Sequence, residues 1–565
     1  SSLSEGRVRS ILSDDTGGLW VGTSAGGLNR LDLKTGRVER FRNDPEDPTS
    51  LAAGVVRALL QDSGGRLWVG TDGGLALFDP ERRSFQHYRQ DPRNPSSLAD
   101  DHVMALAQDR GGVIWVGTRM GGVHKWNPLS WQFGHVAPDV DNPKGLGGGR
   151  VTAFSEDRAG TLWIGTYGAG LHAMDRATGQ MKAYRNDPGN PRSLPSNQVM
   201  ALRHDHRDDL WIGTLESGLV RMTRATGALK SWNHDPRKPN GLSARGVTSI
   251  IIDGDRRLWL GTYGGGLERF DPETERFTHF RHDPADPSSL SGDRVATVVE
   301  APEGRIVAQR RTGRFQRFEH RAGDSTTLPS DAVHSLHVDV AGSLWVGTHG
   351  GLAHLQADGK TFRTYTTRNG LASDVIYAIA NDHKGRLWLS TTNGLIAFDP
   401  RTAQSVSYGV SNGLQAREFN LGAWFQSTSG ELFFGGLNGF NAFVPDRIRQ
   451  LAQAPEVVLT GVTVDHRPLG GPADETQSIR LGFREKVLGI EFAALDFTAP
   501  DRNLFSYKLE GFDPEWVPLT GKRGVTYTNL NPGRYTFHLR GANSDGLWNE
   551  KALSVPVHVA APPWA

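Results

Sequence analysis

The sequence predicts an all-β protein, a run of β-propeller blades followed by an immunoglobulin-like β-sandwich. Three observations lead there. A marker, (Leu/Ile)-Trp-(Val/Ile/Leu)-(Gly/Ser)-Thr, recurs with its indole at Trp20, Trp68, Trp115, Trp163, Trp211, Trp259, Trp345 and Trp388. Each marker sits in a unit that reads as four short strands joined by Gly- and Asp-rich turns. Beyond Glu456 the marker is gone, and strand-like runs continue at sandwich spacing.

The spacing of the marker defines the unit. The first six Trp are 47 or 48 residues apart. The next position falls on Val307 in the worn stretch Gly304–Val307, and the last on Phe433 in Gly430–Gly436. That makes ten repeats, eight clear and two degraded. Val151–Glu156, Thr161–Thr166, Leu171–Asp175 and Met181–Tyr184 are the four strands of one repeat, with turns at Asp157–Gly160, Gly168–Gly170 and Ala177–Gly179. A period in the forties with four strands per unit is that of a propeller blade, which is preferred here to a solenoid of stacked hairpins. Aromatics recurring in register read as inter-blade core. The Gly-Thr that follows suits a close backbone approach and a hydroxyl bond to a nearby loop.

Ten blades exceed the usual ring of four to eight. The stretch Leu129–Gly149 is atypical and rich in Gly and Pro, and seven repeats follow it. The expected domains are three blades of a partial ring over 1–149, a complete seven-bladed ring over 150–445, and a sandwich over 446–565. The last blade, ending at Phe443-Val444-Pro445, lacks a fourth strand, and an open sheet edge calls for one from elsewhere. Trp131–Val136 is the expected donor.

In the C-terminal region Val457–Val464, Leu488–Ala493, Phe505–Leu509 and Tyr535–Ala542 read as strands, and Asn531-Pro532-Gly533 as a hairpin turn. Tyr507-Lys508-Leu509-Glu510-Gly511-Phe512, Val525-Thr526-Tyr527 and Asn531-Pro532-Gly533-Arg534-Tyr535 resemble the three-tyrosine (Y_Y_Y) domain, with Tyr507, Tyr527 and Tyr535 as its namesakes. The Leu-Trp-Val-Gly-Thr units resemble the regulator-propeller repeat. Together they resemble the extracytoplasmic sensor half of two-component histidine kinases, including hybrid kinases that sense glycans. The resemblance implies two seven-bladed rings, a following membrane helix and a kinase. Ten repeats rather than fourteen, and no membrane helix or kinase, are found. Ser1 opens directly into a repeat with no signal peptide, and both ends read as cut from a longer chain. The resemblance also implies a periplasmic location, with a membrane reached only through a C-terminal segment beyond these residues, and a homodimer. Each tyrosine also has a plain structural reading, a packed ring with a locally bonded hydroxyl.

Composition narrows the chemistry. Lys plus Arg number 63 and Asp plus Glu 62, which does not suit a nucleic-acid binder. There are no cysteines, so disulfides, Cys–zinc sites and thiol nucleophiles are excluded. No apolar run of about 18 residues is present to span a membrane. No catalytic constellation and no metal site is read, and no cofactor is expected. His204-Asp205-His206 lies in a turn and reads as a turn rather than as a metal site. Asp-Pro connections such as Asn186–Pro191 read as turns and caps, not as calcium loops.

One position varies while its framework does not. The residue after Gly-Thr is Ser24, Asp72, Arg119, Tyr167, Leu215, Tyr263 and His349, with Thr392 after the Ser-Thr variant. It opens the loop between strands two and three, which shares a face with the inter-blade connections. Functional groups gather on such loops. Arg119, Tyr167, Tyr263 and His349 are therefore the candidate ligand-binding residues, suited to a small molecule or oligosaccharide. The expected function is a non-catalytic ligand-sensing module of a two-component system. Its rivals are a propeller lyase or hydrolase, which would need a catalytic His or acid pair on the top face, and a protein-interaction scaffold.

Overall fold

The computed structural model describes residues 3–4, 6–14, 17–92, 94, 97–127, 132–301, 305–306, 316–339, 341–449, 454–469, 478–520 and 522–564. The chain forms two compact units, Ser1–Leu129 with Gln450–Ala565, and Ser130–Arg449. It is all-β, and the only helices among the described residues are single 3-10 turns. None is long and apolar enough to cross a membrane.

The blade is held by a device that the repeat encodes six residues before each Trp. In blade 4 (Val151–Tyr184) the Asp157 carboxylate closes the first hairpin. One oxygen accepts the Ala159 and Thr161 backbone N–H groups, and the other accepts the Trp163 indole N–H at 3.2 Å. The same indole bond recurs as Trp68 to Asp62, Trp115 to Asp109, Trp211 to Asp205, Trp259 to Asp253, Trp345 to Asp339 and Trp388 to Asp382. Burial pushes the Asp62 carboxyl up, but the Trp68 indole, the Arg66 N–H and the Arg66 guanidinium outweigh it and hold the group below its usual value. Blade 10 has Ser427 and Phe433 at the two positions, so it has lost both partners together. Replacing Asp205 by Ala should destabilise the chain by about 2 kcal/mol, because it strands the buried indole and two turn N–H groups. Urea unfolding measures the loss, and a change below ~0.5 kcal/mol would remove the device from the account.

The marker glycine sets blade spacing. A Cβ on Gly165 would lie 2.7 Å from Val199 Cγ1, the first-strand valine of the next blade. The marker threonine donates to the carbonyl that ends its own turn, as Thr166 does to Gly170 at 2.8 Å.

In the second unit the blades close into a ring. First strands of neighbouring blades pack side by side, and that of blade 10 (Phe419–Phe443) packs back on that of blade 4. There Asn420 Nδ2 donates to the Val151 carbonyl at 2.7 Å. Blade 7 is described only in part, by a short pair of strands, Glu300–Ala301 with Arg305–Ile306; Val307 lies outside the described residues. It is seated on blade 6 (Val247–Phe280) by the Thr248 hydroxyl, which donates to the Val295 carbonyl at 2.7 Å. On the outer edge, Gly134–Val136 pairs antiparallel with Gly439–Phe443 and supplies the fourth strand of blade 10, matching His135 to Asn441. Trp131 lies outside the described residues. Phe133 is fully buried against Phe443 and Tyr408, with ring centroids 4.7 and 5.0 Å away. Gln132 and Arg449 exchange two hydrogen bonds at the root of this clasp. Residues 130–149, assigned above with the first three blades, therefore belong with the ring, because the strand they carry completes its last blade.

In the first unit, blades 1 (Val8–Phe41) and 2 (Val56–Tyr88) have four strands, and blade 3 (Val103–Trp126) has three. They form an arc with two open flanks. Val8 and Ile11 on the leading flank are 39% and 61% exposed, where Val56 and Val103 at the Val8 position are fully buried. Val123 on the trailing flank is 70% exposed, where Leu28 and Leu171 at its position are fully buried. Residues 1–129 and 450–565, read as separate domains above, cluster as one unit because blade 3 meets the C-terminal sandwich. The Trp115 ring stands edge-on to Phe497 at 5.6 Å, Lys125 donates to the Phe497 carbonyl, and Arg110 pairs with Glu456 at 2.7 Å.

The sandwich has two sheets. One contains Arg467–Pro468, Val457–Val464, Val487–Ala494 and Gly524–Thr528. The other contains Ile479–Leu481, Leu553–Val559, Gly533–Ala542, Leu504–Glu510 and Val517–Thr520. Asn531-Pro532-Gly533 is not a hairpin turn. It carries the chain from Gly524–Thr528 in the first sheet to Gly533–Ala542 in the second. The Tyr527 hydroxyl donates to Asp513 at 2.8 Å and that of Tyr535 to the Asn531 carbonyl at 2.9 Å, while the Tyr507 ring packs near Tyr527 and Phe537. All three are structural here.

Candidate functional site

The ring places one end of each described first strand around its central channel, and the residue after Gly-Thr is fastened to that end. Tyr167 N–H donates to the Arg150 carbonyl, Leu215 to Gln198, Tyr263 to Gly246 and His349 to Ala332, each at 2.9–3.1 Å. These bonds use only backbone, so the side chains vary without disturbing the frame. The positions before, at and just inside the start of each first strand together with the residue after Gly-Thr make up a rim.

Two parts of the rim carry distinct chemistry. On blades 4 to 7, tyrosine and arginine pair. The Arg150 guanidinium lies 5.0 Å from the Tyr167 ring centroid, and that of Arg294 lies 4.6 Å from Tyr263. Each tyrosine also bridges to the next blade, Tyr167 to Gln198 and Tyr263 to Arg294. Both rings stay accessible, Tyr263 being 54% exposed. Such pairs leave a π-face and a fork of donors directed at solvent.

On blades 8 to 10 the groups are His334, His349, Tyr377 and Glu418. His334 lies 5.9 Å from His349 and 5.5 Å from Tyr377, ring to ring. The Tyr377 hydroxyl donates to Glu418 Oε1 at 3.3 Å. Burial, then the neighbouring His349, lowers the His334 pKa, so the ring is neutral at physiological pH. Its Nε2 is buried without a hydrogen-bond partner. Burial, then Glu418, raises the Tyr377 phenol. The cluster therefore sets a neutral imidazole, that of His334, and a phenol beside one carboxylate.

Three of the four residues singled out in the sequence, Tyr167, Tyr263 and His349, share this rim. Arg119 does not. It lies exposed on blade 3 in the other unit, its N–H bonded to the His102 carbonyl. The residues missed were Arg150, Arg294, His334, Tyr377 and Glu418. Their signal was present: Arg150 and Glu418 occupy the last position before a first strand, His334 and Tyr377 the second within one, and Arg294 the slot of the repeat that Gln198 and Gly246 hold in other blades.

His204-Asp205-His206 forms a turn, with Asp205 on the Trp211 indole and His204 Nδ1 2.7 Å from Ser155 Oγ, while His204 Nε2 is buried without a hydrogen-bond partner. The Asp-Pro connections are Asx turns, as where Asp187 accepts the Gly189 N–H at 3.0 Å. A groove of about 910 Å³ lies along the far edge of blade 4, among Lys144, Asp175, Arg176 and Lys182. Its Arg176 is already paired with Glu156 and Glu431. The rim, with exposed aromatic faces and arginines that no carboxylate pairs among the described residues, is the better candidate.

Comparison with known proteins agrees with this architecture. Residues 2–25, 50–73, 97–120, 145–168, 193–216, 241–264 and 370–393 match the Two component regulator propeller family, and residues 496–560 match the Y_Y_Y domain. Histidine kinase P4 of Formosa agariphila is 27% identical over 178 residues, a stretch that covers 30% of this chain and only 13% of that protein. Among solved structures, the extracellular domain assigned to a hybrid two component system of B. thetaiotaomicron is similar in fold, with a TM-score of 0.67 at 22% identity. The likeness covers 98% of this chain and 78% of that one.

Proposed function

We propose that this chain, a series of two component regulator propeller repeats followed by a Y_Y_Y domain, is the ligand-sensing module of a two-component system. It works outside the cytoplasm, in the periplasm. It takes a small molecule or oligosaccharide on the rim of the ring of blades 4–10 and acts on a histidine kinase outside these residues, as a homodimer. It binds its ligand and does not convert it. One observation carries this reading: the framework repeats from blade to blade, and the side chains that differ, Tyr167, Tyr263, His334, His349 and Tyr377, share the channel rim. Rigid aromatic faces beside hydrogen-bonding groups suit a polar ligand.

A thermal-shift screen against oligosaccharides and small metabolites tests it. A ligand at a hundred times its Kd should add about 2.7 kcal/mol of stability. Tyr263→Ala should weaken that ligand roughly tenfold, a loss of about 1.4 kcal/mol, without lowering the melting temperature of the free protein. Product formed on long incubation would replace this reading with an enzyme. A hit untouched by Tyr263→Ala and His334→Ala would move the site off the rim.

A further inference from the structure

One slot of the third strand holds, in blade 6 alone, an acid that the blade frame does not call for. In blades 1, 4 and 10 the slot carries Asn29, His172 and Asn441, and each accepts a backbone N–H from the loop that enters its blade. In blades 2, 5, 8 and 9 it carries Ala76, Val220, Ala353 and Ile396, so no polar group is required there. Blade 6 carries Glu268, which is fully buried. Its Oε1 accepts the Ser243 N–H of the entry loop at 2.8 Å and is hydrogen-bonded to the Ser243 hydroxyl. Its Oε2 is buried without a hydrogen-bond partner.

The protons available fix the state of this acid. The Ser243 hydroxyl has one proton and two oxygens within reach, Glu268 Oε1 and the Gly265 carbonyl at 3.0 Å. The carbonyl can only accept. On the outer strand, His279 Nε2 lies 3.1 Å from the Pro239 carbonyl, so that nitrogen carries the proton of a neutral ring. His279 Nδ1, 3.4 Å from Glu268 Oε1, then turns a lone pair toward it. A carboxylate would face that lone pair and would leave Oε2 charged and unpartnered in a dry site. A carboxylic acid meets every demand, because its O–H donates to Ser243 Oγ and the Ser243 proton passes to Gly265. Among the described residues, His279 is the titratable group that acts on Glu268; the second strand faces it with Leu260 and the entry loop with the neutral Ser243. Burial, the largest influence, pushes the Glu268 carboxyl above its ordinary value.

We propose that Glu268 is a protonated carboxylic acid in the folded ring and that its proton fastens the loop beneath Tyr263. The entry loop supplies the Gly246 carbonyl that receives the Tyr263 N–H, and Gly265 lies in the loop that Tyr263 opens. The relay from Glu268 through Ser243 to Gly265 ties those two loops together. Loss of the proton turns the Ser243 hydroxyl toward the carboxylate and releases the Gly265 carbonyl. A group held above its ordinary value contributes stability that is complete in acid and is lost as pH rises through the folded value. That sign is opposite to the one for a buried neutral histidine, and the effect acts on the footing of Tyr263 whatever the ring binds.

Infrared spectroscopy of the full chain, grown with isotope-labelled glutamate, reads the group directly. At pH 6, where an ordinary glutamate is ionised, a protonated-carboxyl band from glutamate should be present. Glu268→Gln, which keeps an acceptor and a donor in the slot, should remove it. Relative to that variant, the parent's urea-unfolding equilibrium constant should rise about tenfold per pH unit above pH 5 until the proton leaves. At pH 8, hydrogen exchange at 243–246 and 264–266 should be faster in the parent than in Glu268→Gln, with blade 9 alike in both. Absence of the glutamate band from the parent at pH 6 would overturn the proposal whether or not the variant folds, and would make the site a carboxylate beside a charged His279. A variant with the parent's own pH dependence would overturn it as well.

Discussion

Truncation of Phe133 to alanine should cost the ring about 4 kcal/mol, the range for emptying a buried aromatic site. Phe133 is 1% exposed and lies among Tyr408, Phe443 and Trp388, so the cavity would be lined by rings too large to collapse into it. The loss is not only local. Phe133 immediately precedes Gly134–Val136, the strand that completes blade 10, and three residues pair too little backbone to hold without side-chain anchorage. Hydrogen exchange is the sharpest readout. Protection should fall in Phe440–Ala442 and in Phe434, the next strand inward, while blade 6 keeps its protection. Uniform loss across the ring would mean that the clasp and the blades open as a single unit. No loss at all would mean that the ring is closed by its inner strands alone.

Acid should weaken the fold through two buried histidines. His172 and His337 are buried, and burial holds both near pKa about 4, against an ordinary 6.5. His172 Nε2 accepts the Gly147 N–H at 3.1 Å, which requires the neutral ring. Both pKa values are lower folded than unfolded, so the unfolded chain binds more protons between pH 4 and 6.5. Stability is then complete above 6.5 and falls as pH drops toward 4, by up to about 3 kcal/mol for each histidine. The repeat itself suggests the control. Asn29 and Asn441 occupy the His172 position in blades 1 and 10, and each accepts a backbone N–H there, from Ser4 and Gln415. His172→Asn, with His337→Ala as in blade 9, should keep the loop contact and flatten the urea-unfolding midpoint between pH 4.5 and 6.5. A double variant as acid-sensitive as the parent would assign the effect to other groups.

Features that repeat were the ones legible in the sequence. Trp in register marked the blades, Gly-Thr marked the close approach, and a last blade without a fourth strand pointed to 131–136 for its partner. Features that arise between repeats were harder to read. The Asp six residues before each Trp was visible as a turn residue, but its bond to the indole crosses the hairpin. Arg150 lies 17 residues before Tyr167 and meets it across the first hairpin of its own blade, whereas Arg294 lies 31 residues after Tyr263 and only the packing of blade 7 on blade 6 brings it beside that ring face. Arg119 held the same slot in the repeat as Tyr167 and was grouped with it, but slot equivalence says nothing about which unit a blade joins. Asn531-Pro532-Gly533 has the residues of a tight hairpin, and in a sandwich the same residues also turn the chain from one sheet to the other.

The clasp also bears on the order in which the molecule assembles. Arg110 and Glu456 meet across 346 residues of chain, a separation that makes their encounter slow and entropically unfavourable. Once Gln132 and Arg449 are joined, the ring acts as a knot in the thread, and the path between the two shrinks to roughly thirty residues. At about 0.6 kcal/mol for each halving, that spares the meeting of blade 3 with the sandwich about 2 kcal/mol of chain entropy. The ring is therefore expected to fold first and the discontinuous unit second. An early stop in synthesis before Phe443 would leave Gly134–Val136 without the complete strand it pairs with, and blade 3 without the sandwich it meets.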